Sequence, residues 1–384
     1  MDVYKIKMPP VIYGGEGSIC KINEIIEKEK IKDIIIFTDQ GIKSTGLLDS
    51  LLDELDQGDI AFKVFDNLAT EPSYIDIENL MNKVNGMKGD LIIGIGGGSV
   101  LDTAKLVSML INATYTVKDL LEDPTQATKF VPTVMIPTTC GTGSEATGNA
   151  IVLVPEKELK IGIVNDKMIP NYVILDPNMI RKLPKHLLAS TGIDALSHAI
   201  ECFTSNKATP FSDTYALHSA KLIFNNILEA YNNPDNIEAK NNMMLGAFYG
   251  GVAIAGSGTT AVHALSYPLG GKYHIPHGVS NAILIAPVME FNKDACEDRL
   301  AVIYDAVCND GHLKSETEKA QYIIDKIEEI VRVTEIPTDL SEFGVKPEDI
   351  GYLVESASKV TRLLSNNIKE LSLEDIRNIY KKVL

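Results

Sequence analysis

Three strongly apolar segments constrain this chain more than any other feature: IKDIIIF (31–37), DLIIGIGG (90–97) and FVPTVMIP (130–137). None alternates apolar with polar positions, so each suits a strand covered on both faces, as in a parallel sheet. Each ends in a turn of glycines or small polar residues. IAFKVFD (60–66) reads as a further strand, and apolar residues recur at helical spacing over 19–29, 47–56, 75–84 and 101–111. This alternation of strand and helix predicts a parallel α/β sheet. IVLV, KIGIV and YVILD, between residues 151 and 176, read as additional short strands.

From about Pro184 the pattern changes to helical periodicity. Helices are expected over 187–204, 212–232, 237–256, 296–308, 315–332, 347–357 and 372–383. A chain of 384 residues exceeds what one core usually supports. The expectation is an α/β parallel-sheet domain over 1–180 and an all-α domain over 181–384.

The formal net charge of −16 argues against nucleic acid or an anionic membrane as partner, because both require a basic face. The opening MDVYKIKMPP has no basic region followed by an apolar run, and no apolar run approaches the roughly 18 residues of a membrane span. The five cysteines are scattered without a CxxC pair, which suits a reducing compartment and excludes a thiolate metal cage. These features together read as a cytoplasmic protein.

Four segments carry chemistry. The first is GGGS, Gly96 to Ser99, where a buried strand meets a helix. Glycines there let backbone approach a phosphate, and a helix start offers unpaired N–H groups. It is not the GxGxxG dinucleotide fingerprint. Asp39, at an earlier strand end, fits either a turn cap or a carboxylate that binds ribose hydroxyls and repels a 2′-phosphate. The second segment, PTTCGTGSEAT (137–147), is a turn rich in small donors after another buried strand. Ligands of such sheets sit at the carboxyl ends of the strands.

The third segment is TGIDALSHAIECF (191–203), with Asp194 and His198 four residues apart on an apolar helix. They share a face, and fit either a buried hydrogen bond or two ligands of a divalent metal. The fourth runs from Gly258 to Asn292 and holds His263, His274 and His277 among glycines, prolines and apolar residues. A helix and its following loop would return His263 and His277 to one point. One Asp and three His make an O/N donor set that suits Fe(II) or Zn(II), with an open position for a substrate oxygen.

GGGSVLDTAK, PTTCGTGSEAT, GIDALSHAIE and HALSYPLGGKYHIPHGVSNA, in this order, resemble the signature segments of the iron-dependent (group III) alcohol dehydrogenases. The resemblance covers nearly the whole chain. It implies a dehydroquinate synthase-like fold, with a dinucleotide-binding α/β domain, an all-helical domain and the active site in the cleft between them. It implies a metal held by Asp194, His198, His263 and His277. It also implies a cofactor held by Gly97, Gly98 and Ser99, by Thr138, Thr139 and Thr142, and by Lys160. Asp102, in the same GGGSVLDTAK block, is counted with the cofactor residues, and Asp39 favours NAD over NADP.

The sequence departs from the family in three places. A His often found four residues after the third ligand is Tyr267 here, so proton transfer falls to Tyr267 or His274. Glu71 stands where many members have Asn, and Asn366-Asn367-Ile368-Lys369 does not match the usual Asn-Pro-Arg. The ribose hydroxyls and water are equally open routes for the proton. The expected reaction is reversible hydride transfer between a small primary or secondary alcohol and NAD, in a homodimer or larger homo-oligomer. The alternative is a hydroxyacid dehydrogenase or hydroxyacid–oxoacid transhydrogenase of the 4-hydroxybutyrate type. That chemistry needs a cation for the substrate carboxylate, and Lys272 is the candidate.

Overall fold

A computed structural model describes residues 3–308 and 311–384. The chain forms two compact units: one comprises Lys7–Pro155 and Ile161–Leu183, the other Met1–Ile6, Glu156–Lys160 and Pro184–Leu384.

The first unit is built on a six-stranded sheet of β1 (Val11–Gly14), β2 (Asp33–Phe37), β3 (Ala61–Phe65), β4 (Leu91–Gly96), β5 (Thr133–Pro137) and β8 (Tyr172–Leu175), with β6 (Asn149–Val154) and β7 (Leu159–Val164) paired separately. The sheet runs β1-β8-β5-β4-β2-β3, and every described pairing in it is parallel. The apolar runs occupy the middle. Every residue of β4, β5 and β8 is buried, whereas the edge strands β1 and β3 alternate between partly buried and exposed positions. Covered strands gain from β-branched side chains on both faces, which is why Ile34–Ile36 and Leu91–Ile93 run without a polar break.

The helices α1 (Lys21–Glu29), α2 (Gln40–Ser44), α3 (Asp49–Gln57), α4 (Tyr74–Val84), α5 (Gly98–Leu110) and α6 (Val117–Glu122) join these strands. From β2 the chain steps outward to β3, then returns past β2 to β4 and continues the other way to β5. The order therefore reverses at the β2/β4 pair. In open α/β sheets a ligand binds at such a switch point, outside the carboxyl ends of the strands. Asp39 follows β2 there and Gly97 follows β4.

The second unit is helical: α7 (Lys185–Thr204), α8 (Pro210–Asn232), α9 (Ile237–Ser257), α10 (Ala261–Tyr273), α11 (His277–Val307), α12 (Glu316–Val333), α13 (Ile350–Ser358), α14 (Thr361–Leu364) and α15 (Leu373–Lys382). Helix α7 packs against α8, α9 and α11 and is buried along most of its length. The Gly- and Pro-rich stretch after Gly258 begins with the expected helix and following loop, and the loop is short. It forms two helices, α10 and α11, separated only by His274–Pro276. Gly271 sits inside α10 because the hairpin turn before β7 presses on it: a Cβ there would lie 2.0 Å from the Glu158 carbonyl oxygen. Close approach of backbone, not a turn, demands that glycine. Helix α11 bends at Cys296, whose φ of −144° and ψ of 27° interrupt the run.

The Asn-Asn pair that departs from the family pattern closes this unit. Asn367 exchanges amide hydrogen bonds with Asn292 at 2.8 and 2.9 Å, and Asn366 donates to the Thr259 carbonyl at 2.9 Å. No helix among the described residues is long and apolar enough to cross a membrane.

Candidate active site

Helix α7 carries Asp194, His198 and Glu201 on one buried face, because the spacings i, i+4 and i+7 each complete turns of an α-helix. His263 lies in the first turn of α10, and His277 is the first residue of α11. One ligand atom each from Asp194, His263 and His277 falls within 4.8 Å of the other two. Asp194 Oδ1 is 3.6 Å from both His263 Nε2 and His277 Nε2 and 3.8 Å from His198 Nε2. His198 Nε2 is 2.9 Å from His263 Nε2. The four residues proposed from sequence therefore converge. His277 is the open side, with 29% of its side chain exposed against 5% or less for the other three.

Electrostatics prepare these groups for a cation. Burial alone would raise the Asp194 pKa, but the His198, His277 and His263 rings outweigh it and hold the carboxyl well below its usual range. Burial alone would lower His263, but the Glu201 and Asp194 carboxylates pull it up to about 9. For His277 desolvation wins and, with the His263, His198 and Lys160 charges, pushes the imidazole well below the usual histidine range. An anionic carboxylate and a neutral ring are what a divalent ion requires of such ligands.

Two residues at this cluster were not singled out from the sequence. Asn281, one turn into α11 from His277, donates from Nδ2 to Asp194 Oδ1 at 2.7 Å and lies 3.2 Å from both His263 Nε2 and His277 Nε2. Its Oδ1 is buried without a hydrogen-bond partner among the described residues. Glu201 is fully buried and bonded to His263 Nδ1. Both stood at helical spacing from a proposed ligand, three residues after His198 and four after His277, and that spacing was the available signal.

Around the ligands, Tyr267 is 7% exposed with its ring centroid 6.2 Å from that of His277. His274 is the exposed C-cap of α10, held at a left-handed φ of 54°. Lys160 is buried with its ammonium over Gly270 of α10, where an added Cβ would come within 2.9 Å of Nζ. Lys272 is engaged elsewhere: its ammonium lies 4.0 Å from the Tyr352 ring centroid and 3.7 Å from Asp349.

In the sheet unit, Gly97 is the N-cap of α5, so the helix begins at Gly98 and its first N–H groups have no partner within the helix. The GGGS and PTTCGTG turns face each other. A Cβ at Gly98 would lie 2.7 Å from Thr142 Cγ2, and one at Gly97 would lie 3.3 Å from Thr139 Cγ2. Thr139 and Thr142 are partly open, whereas Thr138 is buried. Ser99 bonds the Thr70 carbonyl through its hydroxyl. Asp102 is turned inward: it accepts from Ser144 Oγ at 2.5 Å and Ile151 N at 2.9 Å, and pairs with the buried Lys105 at 2.9 Å. It ties the second turn to α5. Asp39 caps α2 by accepting from Ile42 N at 2.9 Å with one carboxylate oxygen. A bare helix start lined by residues that only glycine can approach fits a diphosphate.

An anion cradle on a parallel sheet and a sulfur-free metal-type donor cluster on helices equip a metal-dependent dinucleotide oxidoreductase. The chain belongs to the iron-containing alcohol dehydrogenase family: the profile described as "Iron-containing alcohol dehydrogenase" matches residues 9–177, and "Fe-containing alcohol dehydrogenase family, C-terminal" matches residues 188–384. It is an NAD-linked alcohol dehydrogenase by that membership. The long-chain-alcohol dehydrogenase 1 of Geobacillus thermodenitrificans is 33% identical over 99% of this chain and 97% of its own length. The alcohol dehydrogenase from Oenococcus oeni superposes over 100% of both chains with a TM-score of 0.94 at 29% identity. The sulfoacetaldehyde reductase from Bifidobacterium kashiwanohense, solved in complex with NAD+, gives 0.89 at 27% identity over 100% of this chain and 99% of its own.

Proposed function

We propose that the chain interconverts a small, uncharged primary or secondary alcohol with its aldehyde or ketone, using NAD and a metal held by Asp194, His198, His263 and His277. The observation that carries this reading is the convergence of one carboxylate oxygen and three imidazoles, with no cysteine in the cluster among the described residues. That donor set takes Fe(II), and Zn(II) as the alternative. A divalent ion held there supplies Lewis acidity toward an alcohol oxygen, and NAD supplies the hydride acceptor.

The chain's own residues do the rest. The N–H groups at Gly98 and Ser99 hold the diphosphate, and Gly97, Gly98, Thr139 and Thr142 shape the space it needs. Thr138 and Asp102 support that turn from inside, and Asp39 selects NAD against NADP by charge. Lys160 adds a buried positive charge for the cofactor. Tyr267 handles the proton, with His274 as its alternative. The commitment of Lys272 to Tyr352 and Asp349 leaves it unsuited to anchoring a substrate carboxylate, which favours neutral alcohols over hydroxyacids. A homodimer or larger homo-oligomer in the cytoplasm belongs to the same reading.

The test is absorbance at 340 nm with an alcohol and aldehyde panel, with and without a chelator, on anaerobically purified protein of known metal content. Turnover with NAD that the chelator abolishes and that His263→Ala lacks is the expected result. Near wild-type turnover by metal-free His263→Ala protein contradicts it.

A further inference from the structure

Glu201 is fully buried in the last turn of α7, and its two carboxylate oxygens have separate tasks. Oε1 accepts from Thr260 N at 3.0 Å, Thr260 Oγ1 at 2.7 Å, Val262 N at 2.8 Å and His263 N at 3.4 Å. These are the donors at the start of α10, which has no side-chain cap from Thr260 itself. One oxygen thus caps the helix that carries His263. Oε2 is bonded to the imidazole, at His263 Nδ1. A carboxylate has no proton to give, so Nδ1 must carry the hydrogen, and in the neutral ring that a metal binds Nε2 is left with the lone pair. Nε2 is the atom that meets Asp194, His198 and Asn281.

Resting on the metal-centre reading above, we propose that Glu201 is a positioning residue that sets the His263 tautomer, and so the site's capacity to hold a metal, separately from its capping of α10. A carboxylate behind a metal-binding histidine fixes the ring's orientation and raises its basicity. Here the same side chain also fixes the start of the helix that delivers the ring.

The divided oxygens provide a clean test. In Glu201→Gln the amide oxygen stays at the Oε1 position, because the reverse orientation would set an NH2 group against three backbone N–H donors. The NH2 then occupies the Oε2 position and donates to Nδ1, which forces the His263 proton onto Nε2. The cap survives and the ligand lone pair is lost. Zn(II) affinity of the full-length protein, measured by competition with a chromophoric chelator, is expected to fall about 10- to 100-fold. The melting temperature of the metal-free protein should stay close to wild type, whereas Glu201→Ala should lower both.

Wild-type Zn(II) affinity in a folded Glu201→Gln protein overturns the assignment of Glu201 alone. Failure of the wild-type protein to bind any divalent ion overturns the metal-centre reading beneath it. Should Glu201→Gln not fold, ¹⁵N-histidine NMR of zinc-loaded wild type decides. A proton on His263 Nδ1 supports the proposal, and a proton on Nε2 overturns it.

Discussion

The Nε2 atoms of His198 and His263 face each other across 2.9 Å, with the two rings stacked at 4.6 Å between centroids. His263 has its Nδ1 against Glu201, so the hydrogen between the two Nε2 atoms is the one an incoming ion must displace. A divalent ion that displaces it meets two ring nitrogens and a carboxylate oxygen within 3.8 Å of both. Adding Fe(II) or Zn(II) to metal-free protein should therefore raise its melting temperature. At a free ion concentration about 1,000 times Kd, the stabilisation is about 4 kcal/mol. His198→Ala should remove at least half of that gain in differential scanning calorimetry. A wild-type melting temperature indifferent to either ion would sink the prediction.

Metal binding should also be coupled to pH through His263. The Glu201 and Asp194 carboxylates overcome the effect of burial and raise its pKa from 6.5 to about 9 in the metal-free fold. At pH 7 its Nε2 then carries a proton that an incoming ion must displace. Calorimetric titration in buffers of different ionisation enthalpy should show release of close to one proton at pH 7. Apparent affinity should rise about tenfold per pH unit and level off near pH 9. The stability of the metal-free protein runs the other way. A raised histidine pKa stabilises fully below 6.5, and this contribution is lost as pH climbs through about 9. No proton release at pH 7 would contradict the assignment.

The sheet was legible because its central strands are apolar on both faces, and a run such as Ile34–Ile36 has no other stable place in a soluble fold. The pairing of Asp194 with His198 was legible because helical spacing places them on one face. The shortness of the loop between α10 and α11, and the helical run of α11 before residue 296, were not legible. Pro268, Gly270, Gly271 and Pro276 read locally as breakers, yet the glycines answer to Lys160 and Glu158 pressing on α10, contacts distant in sequence. The surroundings of Asp102 were hidden in a similar way. Beside GGGS it reads as a ligand contact, but Ser144, Ile151 and Lys105 take up its carboxylate. Glu201 escaped notice because its partners lie at the start of α10, and Asn281 because two of its three lie on α7 and α10.

Gly98 should not tolerate a side chain. A Cβ would stand 2.7 Å from Thr142 Cγ2 and 2.8 Å from its hydroxyl oxygen, inside any van der Waals contact. Gly98→Ala must push the PTTCGTG turn away from the helix start and open the proposed diphosphate cradle. Loss of one such main-chain contact corresponds to about 1.4 kcal/mol, so KM for NAD should rise about tenfold. Metal content should not change, because the ligands lie on α7, α10 and α11. Steady-state kinetics with NAD varied, together with metal analysis, checks both halves. An unchanged KM for NAD would place the cofactor elsewhere.

Tyr267 is the position at which altered chemistry should be easiest to read. It stands one turn beyond His263 on α10, is 7% exposed, and lies 6.2 Å from the His277 ring between centroids. A phenol of ordinary pKa near 10 gives up its proton reluctantly at neutral pH, whereas an imidazole near 6.5 exchanges protons readily there. If Tyr267 handles the substrate proton, Tyr267→His should move the pH optimum of alcohol oxidation downward. Tyr267→Phe should lower kcat about 100-fold, the lower range for loss of a general acid–base group. Both variants should keep wild-type metal content, which separates proton transfer from damage to the ligand cluster. Profiles of kcat between pH 6 and 10 for the three proteins decide the matter. Superimposable wild-type and Tyr267→Phe curves would exclude Tyr267 from the proton path and transfer the role to His274 or solvent.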